Sequence, residues 1–187
     1  MSTNRKAVKM LGSNRVVFLS GDIDTVSVNP VIERLLQLDA SAKKDILLVL
    51  NTEGGTVIDG LFLINTFKLL RSEVAILVPA SAQSIGAVIL AAGAKGKRVV
   101  MPGSVAMMHA ASYELSENPH RMHKSEIDFQ EKQEHYFANL LKSWGFKYPD
   151  TSLASECTHY TGQEIVDAGI ADVMINSLED LHKVVKI

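Results

Sequence analysis

Two stretches, "DILLVLN" (45–51) and "VAILVPA" (74–80), are apolar at nearly every position instead of at alternate ones. A strand with one face in water alternates apolar and polar residues, so an unbroken run needs cover on both faces. That requirement constrains the chain more than any other feature: it calls for a parallel sheet between layers of helix. The intervening "TVIDGLFLINTFKLL" (56–70) reads as a helix. Upstream, "RVVFLSG" (15–21) reads as a β-branched strand ending in glycine, and "PVIERLLQL" (30–38) as a helix with Asn29 as its N-cap. Downstream, "SIGAVILAAGA" (84–94) is a small-residue helix suited to burial on most sides. The order β-α-β-α-β-α, with right-handed crossovers, gives an α/β fold with a parallel sheet core.

Short strands are expected at "RVVMP" (98–102) and "VAMMHA" (105–110), followed by a long helix over "SEIDFQEKQEHYFANLLKSW" (125–144). The tail "TGQEIVDAGIADVMI" (161–175) reads as a helix closed by Gly169 and then a last strand. No repeat or Pro/Gly/Ser-rich linker divides the 187 residues, so one domain, 1–187, is expected after a short polar arm, 1–14.

Lys and Arg number 19 against 21 Asp and Glu, a net charge of −2, which supplies no field for nucleic acid or an anionic membrane. The one basic cluster, "KGKR" (95–98), reads as a solvated turn. A single cysteine, Cys157, excludes an intramolecular disulfide framework and a cysteine-built zinc site, and reads as a buried thiol. His120 and His123 have the spacing to share a metal but no third ligand nearby, so no metal is expected. No apolar run is long enough for a membrane span or a secretory leader, and a cytoplasmic protein is expected.

In open α/β sheets the site lies beyond the carboxyl ends of the strands. Three features fall there: the glycine pair of "NTEGGTV" (51–57), Ser84 between the third strand and the buried helix, and His109 at the end of "VAMMHA". A serine hydroxyl attacks a carbonyl only when a base removes its proton, and histidine is the usual base near neutrality. The N–H groups of Gly55 and Ile85 are placed to hold the resulting oxyanion.

"NTEGGTVIDG", "SAQSIGAVILAAGAKGKR", "MMHA" and "YTGQEIVDAGIAD", in this order, resemble the ClpP family of serine peptidases, the proteolytic subunits of Clp protease, over about residues 15–175. The resemblance implies a ClpP/crotonase-like fold with a projecting handle helix at about 120–144. It implies Ser84 as nucleophile, His109 as base and then acid, and Gly55 and Ile85 as the oxyanion hole, with no cofactor. It further implies a peptide or unfolded-protein substrate and homo-oligomeric stacked rings, heptamers paired as a tetradecamer. The family's triad acid sits in a segment that here reads "LASECTHYTG" and is shorter; with Leu153 as the packing residue, Glu156 takes the acid position, and Asp150, the alternative acid, suits a cap for a helix near Thr151. Glu53 replaces the family's proline in its S-P-G-G turn and sets a carboxylate near the cleft. "HAASYELSENP" departs from the family's substrate-strand pattern, and the short N-terminal arm argues against dependence on an ATP-driven AAA+ unfoldase.

Two other readings remain open on the sequence, a crotonase-like acyl-CoA enzyme and a catalytically impaired ring subunit that keeps the fold as a scaffold; a peptidase using Lys95 or Lys97 as base is disfavoured, because a lysine base needs burial and "KGKR" reads as wet.

Overall fold

The computed structural model describes residues 14–109, 124–147 and 157–187. Its main sheet has five parallel strands: β1 (Val16–Ser20), β2 (Ile46–Asn51), β3 (Val74–Val78), β5 (Arg98–Val100) and β8 (Val173–Met174), in the order β1-β2-β3-β5-β8. The register runs Val16↔Leu47 and Leu47↔Ala75, so successive βαβ crossovers start level with one another.

The unbroken apolar runs divide by alternate residues between two cores. Ile46, Leu48, Leu50, Val74, Ile76 and Val78 point into the larger cluster, beneath helices α1 (Thr25–Ser41), α2 (Val57–Leu69) and α3 (Ile85–Ala91). Leu47, Ala75, Leu77 and Val99 point the other way and meet Leu181 of the C-terminal helix α6 (Leu178–Val184) and Val185 just beyond it. The sequence pattern demanded a second cover, and α6, which the pattern did not single out, supplies it.

Helix α1 starts earlier than Pro30. Its N-cap is Asp24, not Asn29: the Asp24 carboxylate accepts the Ser27 N–H while the Ser27 hydroxyl accepts the Asp24 N–H, a reciprocal capping box. Extending the helix brings Val28 onto the buried face with Val31, Ile32, Leu35 and Leu38, which outweighs the hydrogen bond that Pro30 cannot donate.

The "KGKR" cluster is a solvated turn only in its first half: Lys95 and Gly96 are exposed in a turn, whereas Lys97 and Arg98 are tied down. Lys97 Nζ lies 2.6 Å from carboxylate oxygens of both Asp45 and Glu73, and Arg98, 4% exposed, grips Asp172 through Nε (2.9 Å) and Nη2 (2.5 Å). Arg98 Nη1 donates to the carbonyls of Ala91, Trp144 and Gly169, so one buried cation ties the end of α3 to the turns at residues 144 and 169.

A second, three-stranded sheet positions the site. It consists of β4 (Ser81–Gln83), β6 (Val105–Met108) and β7 (Thr158–Thr161), with β4 parallel and β7 antiparallel to β6. The long helix α4 (Lys124–Ser143) lies in the expected handle region. Its C-terminal end is anchored, with Leu141 buried and Phe137 packed on the main core, while Lys124, Asp128, Lys132 and His135 are exposed. The tail helix α5 (Gln163–Asp167) is a short turn before the sharp bend at Gly169. Among the described residues no helix is long and apolar enough to cross a membrane.

Candidate active site

Ser84 occupies the single residue between β4 and α3. Its backbone, φ 53° and ψ −125°, is the one positive-φ conformation of a non-glycine residue among those described. Such a conformation costs on the order of 1–3 kcal/mol and survives only where its surroundings impose it. Here they do. The Ser84 N–H donates to the Met107 carbonyl at 2.8 Å, and all seven residues of α3 are buried. The result is a strand-to-helix elbow that turns the hydroxyl away from the core.

His109 follows β6. The parallel register Ser81↔Val105, Ala82↔Ala106 and Gln83↔Met107 ends both strands on one side, and the bond from Ser84 to Met107 extends the pairing by one residue. His109 Nε2 therefore sits 2.8 Å from Ser84 Oγ, in a half-buried contact.

The glycine turn closes on the same hydroxyl. Gly54 has φ +114°, and a Cβ added there would lie 2.8 Å from Ser84 Cβ and 3.1 Å from the Gln83 carbonyl. Gly55 has φ +149°, and its Cβ would come within 2.2 Å of the Ile23 carbonyl oxygen. Both positions require glycine, for different reasons: Gly54 lets the turn press against the serine, and Gly55 lets it thread past Ile23. Buried Thr52 holds the turn, its Oγ1 accepting the Gly54 N–H at 2.9 Å and its carbonyl accepting the Gln83 N–H at 3.0 Å. Among the described residues the N–H groups of Gly55 and Ile85 have no acceptor.

Ser84, His109 and the glycine turn thus meet. Glu156 and Asp150, the acid expected from the sequence and its alternative, lie outside the described residues, as do the substrate-strand segment after Ala110, His120 and His123. The antiparallel register Met107↔His159 and Met108↔Thr158, continued one step, sets position 157 across from position 109. Cys157 there is exposed, not the buried thiol its type suggests: it precedes β7, along which Thr158 and Tyr160 are half-buried and His159 and Thr161 exposed, and it continues the exposed set. Thr52 and the Met107 carbonyl went unnoticed in the sequence. Thr52 left a faint signal as a polar residue beside the glycines, and a backbone carbonyl leaves none.

A serine on a strained elbow, hydrogen-bonded to an imidazole at the carboxyl ends of neighbouring parallel strands, is the constellation of an α/β serine hydrolase. A model of the family described as Clp protease matches residues 2–177, and the chain belongs to that family. Among curated proteins it is similar to the ATP-dependent Clp protease proteolytic subunit of Carsonella ruddii, 41% identical over 101 residues that cover 54% of this chain and 52% of that protein. The protein of the same description from Streptococcus gordonii is 40% identical over 97 residues, 51% of this chain and 50% of its own length. In these alignments the chain spans about half the length of the curated relatives it matches.

Proposed function

We propose that the chain is a serine endopeptidase that cleaves peptides and unfolded proteins through an acyl-enzyme at Ser84, within a ring-shaped homo-oligomeric chamber. His109 Nε2 takes the hydroxyl proton as Oγ bonds the scissile carbonyl carbon, then gives that proton to the departing amine as the C–N bond breaks. Water, deprotonated by the same nitrogen, attacks the ester carbonyl, and as the bond to Oγ breaks the imidazolium returns that proton to Oγ, freeing the carboxylic acid and the serine. For this role the neutral imidazole carries its proton on Nδ1, facing the triad acid; Glu156 is preferred for that place and Asp150 is its alternative. The N–H groups of Gly55 and Ile85 receive the oxyanion, a contribution of ~3 kcal/mol per donor in enzymes where one has been removed. The bond cleavage needs no cofactor.

The observation that carries this reading is the 2.8 Å contact between Ser84 Oγ and His109 Nε2 at a serine whose backbone is held at φ 53°. An N-cap serine would be expected to donate or accept within its own helix turn, and Ser84 makes no such cap bond. A fluorophosphonate probe is expected to label the wild-type protein at Ser84 and to leave Ser84→Ala and His109→Ala unlabelled. Fluorogenic peptide hydrolysis should fall roughly 10⁴-fold or more in Ser84→Ala. Undiminished hydrolysis in that variant overturns the assignment, and absence of labelling in the wild type favours the scaffold or acyl-CoA readings.

A further inference from the structure

We propose that Glu53 determines specificity at this site, its carboxylate receiving a lysine or arginine side chain of the substrate close to the cleaved bond. The inference rests on the peptidase reading above. Glu53 immediately precedes Gly54, the residue whose backbone presses on Ser84, and its side chain is exposed. Its Oε2 accepts a hydrogen bond from Gln83 Nε2, the side chain of the residue just before Ser84. Gln83 Nε2 is itself steadied by the Ser81 hydroxyl at 3.1 Å. The acid thus joins the turn after β2 to the end of β4, beside the nucleophile, with one oxygen held by an amide.

An amide donor orients a carboxylate without neutralising it. The ion pairs among the described residues, Asp39–Arg71, Asp45–Lys97–Glu73, Asp172–Arg98 and Asp180–Lys183, all lie elsewhere, and Glu53 has no cationic partner among those residues. A full negative charge beside a hydrolytic serine attracts a substrate cation and disfavours an acidic one. Its exposure sets the size of the effect, which is that of a surface ion pair and so sensitive to salt.

The test uses one fluorogenic peptide scaffold with lysine, norleucine or glutamate placed in turn at the positions flanking the cleaved bond, assayed on the full-length protein at low and high salt. At one or more of these positions lysine should exceed norleucine by about three- to fivefold in kcat/KM at low salt, and the ratio should approach one at high salt. In Glu53→Gln the ratio should approach one at either salt, and in Glu53→Lys the glutamate peptide should become the preferred substrate. The salt series on the wild type reads the same charge without any substitution. Hydrolysis with no lysine preference, or a preference that survives both variants, overturns the role of Glu53 and leaves the peptidase reading intact. No hydrolysis of any peptide, together with no fluorophosphonate labelling at Ser84, overturns the peptidase reading and this inference with it.

Discussion

At the scale of single residues the two adjacent glycines differ in how deeply an added side chain would collide with the fold. An alanine at position 54 would drive its Cβ to 2.8 Å from that of Ser84 and 3.1 Å from the Gln83 carbonyl, contacts that only a shift of the elbow backbone relieves, and that shift carries the Ser84 hydroxyl off His109. Misplacing a reacting atom by about 1 Å costs on the order of 10²-fold in rate. Gly54→Ala is therefore expected to lose about two orders of magnitude in peptide hydrolysis while remaining folded by circular dichroism. An alanine at position 55 would overlap more deeply, 2.2 Å from the Ile23 carbonyl oxygen and 2.7 Å from the Ile23 nitrogen, backbone atoms held by the bridge between the two residues. Gly55→Ala should cost at least ~3 kcal/mol in urea unfolding, adding steric overlap to the strain of a positive φ. Equal effects of the two substitutions on stability would contradict this difference. Ser84 and His109 were legible in the sequence because their side chains carry recognisable chemistry. The press of Gly54 on the serine and the grip of the Met107 carbonyl were not, since both are properties of backbone path, which glycine and methionine codons share with countless turns and strands.

Between elements, Arg98 and Asp172 form a buried, two-pronged tie. Burial pushes the Asp172 carboxyl up, but hydrogen bonds from the Arg98 side chain and backbone, with the charge of the guanidinium, outweigh it and hold the carboxyl below its ordinary value of 3.8. A carboxyl whose pKa is lower folded than unfolded contributes its full stability above the unfolded value and loses it as pH falls through the folded one. The wild type should accordingly lose stability below about pH 4, and Asp172→Asn, which has no such proton to take up, should show a shallower acid limb in urea titrations. At neutral pH the same variant should be about 3 kcal/mol less stable, because Arg98 is left charged and buried opposite a neutral amide. The sequence hid this pair: "KGKR" looks wet, and its acid stands 74 residues away in a different loop. Long-range pairing explains the other omissions too. Strand β7 has no apolar run, being half-buried and exposed by turns, and exists because it pairs with β6 some fifty residues earlier. The parallel core was readable because its strands had to be apolar on both faces, whereas α6 is short and covers its share with one fully buried residue, Leu181, flanked by the partly buried Leu178 and Val184.

At the scale of the whole molecule, the faces left bare by this fold bear on the proposed assembly. Ile58 (80% exposed), Phe62 (51%) and Leu69 (81%) fall on one side of α2, and Phe18 (67%) stands on β1, at the margin of the main sheet among the described residues. Scattered exposed apolar residues are ordinary, but three at four- and seven-residue spacing on one helix form a stripe, and a net charge of −2 offers little repulsion to oppose its burial. A second copy of the chain is the occupant that a ring requires. If α2 is covered by a neighbouring copy, Ile58→Glu with Phe62→Glu forces two carboxylates into an apolar contact, where an unpaired charge costs several kcal/mol. The double variant should then shift the sedimentation velocity profile from a large oligomer to smaller species with unchanged circular dichroism, since neither side chain is needed by the core of its own subunit. Labelling of Ser84 by a fluorophosphonate distinguishes what assembly supplies. Labelling retained in the dissociated variant, with hydrolysis of long unfolded chains lost, would mean that the serine–histidine pair is complete within one chain and that the ring contributes confinement. Loss of both would mean that contacts between copies hold the elbow or the acid in place. A wild-type protein that sediments as a monomer at every concentration would remove the chamber and leave the site to act in the open.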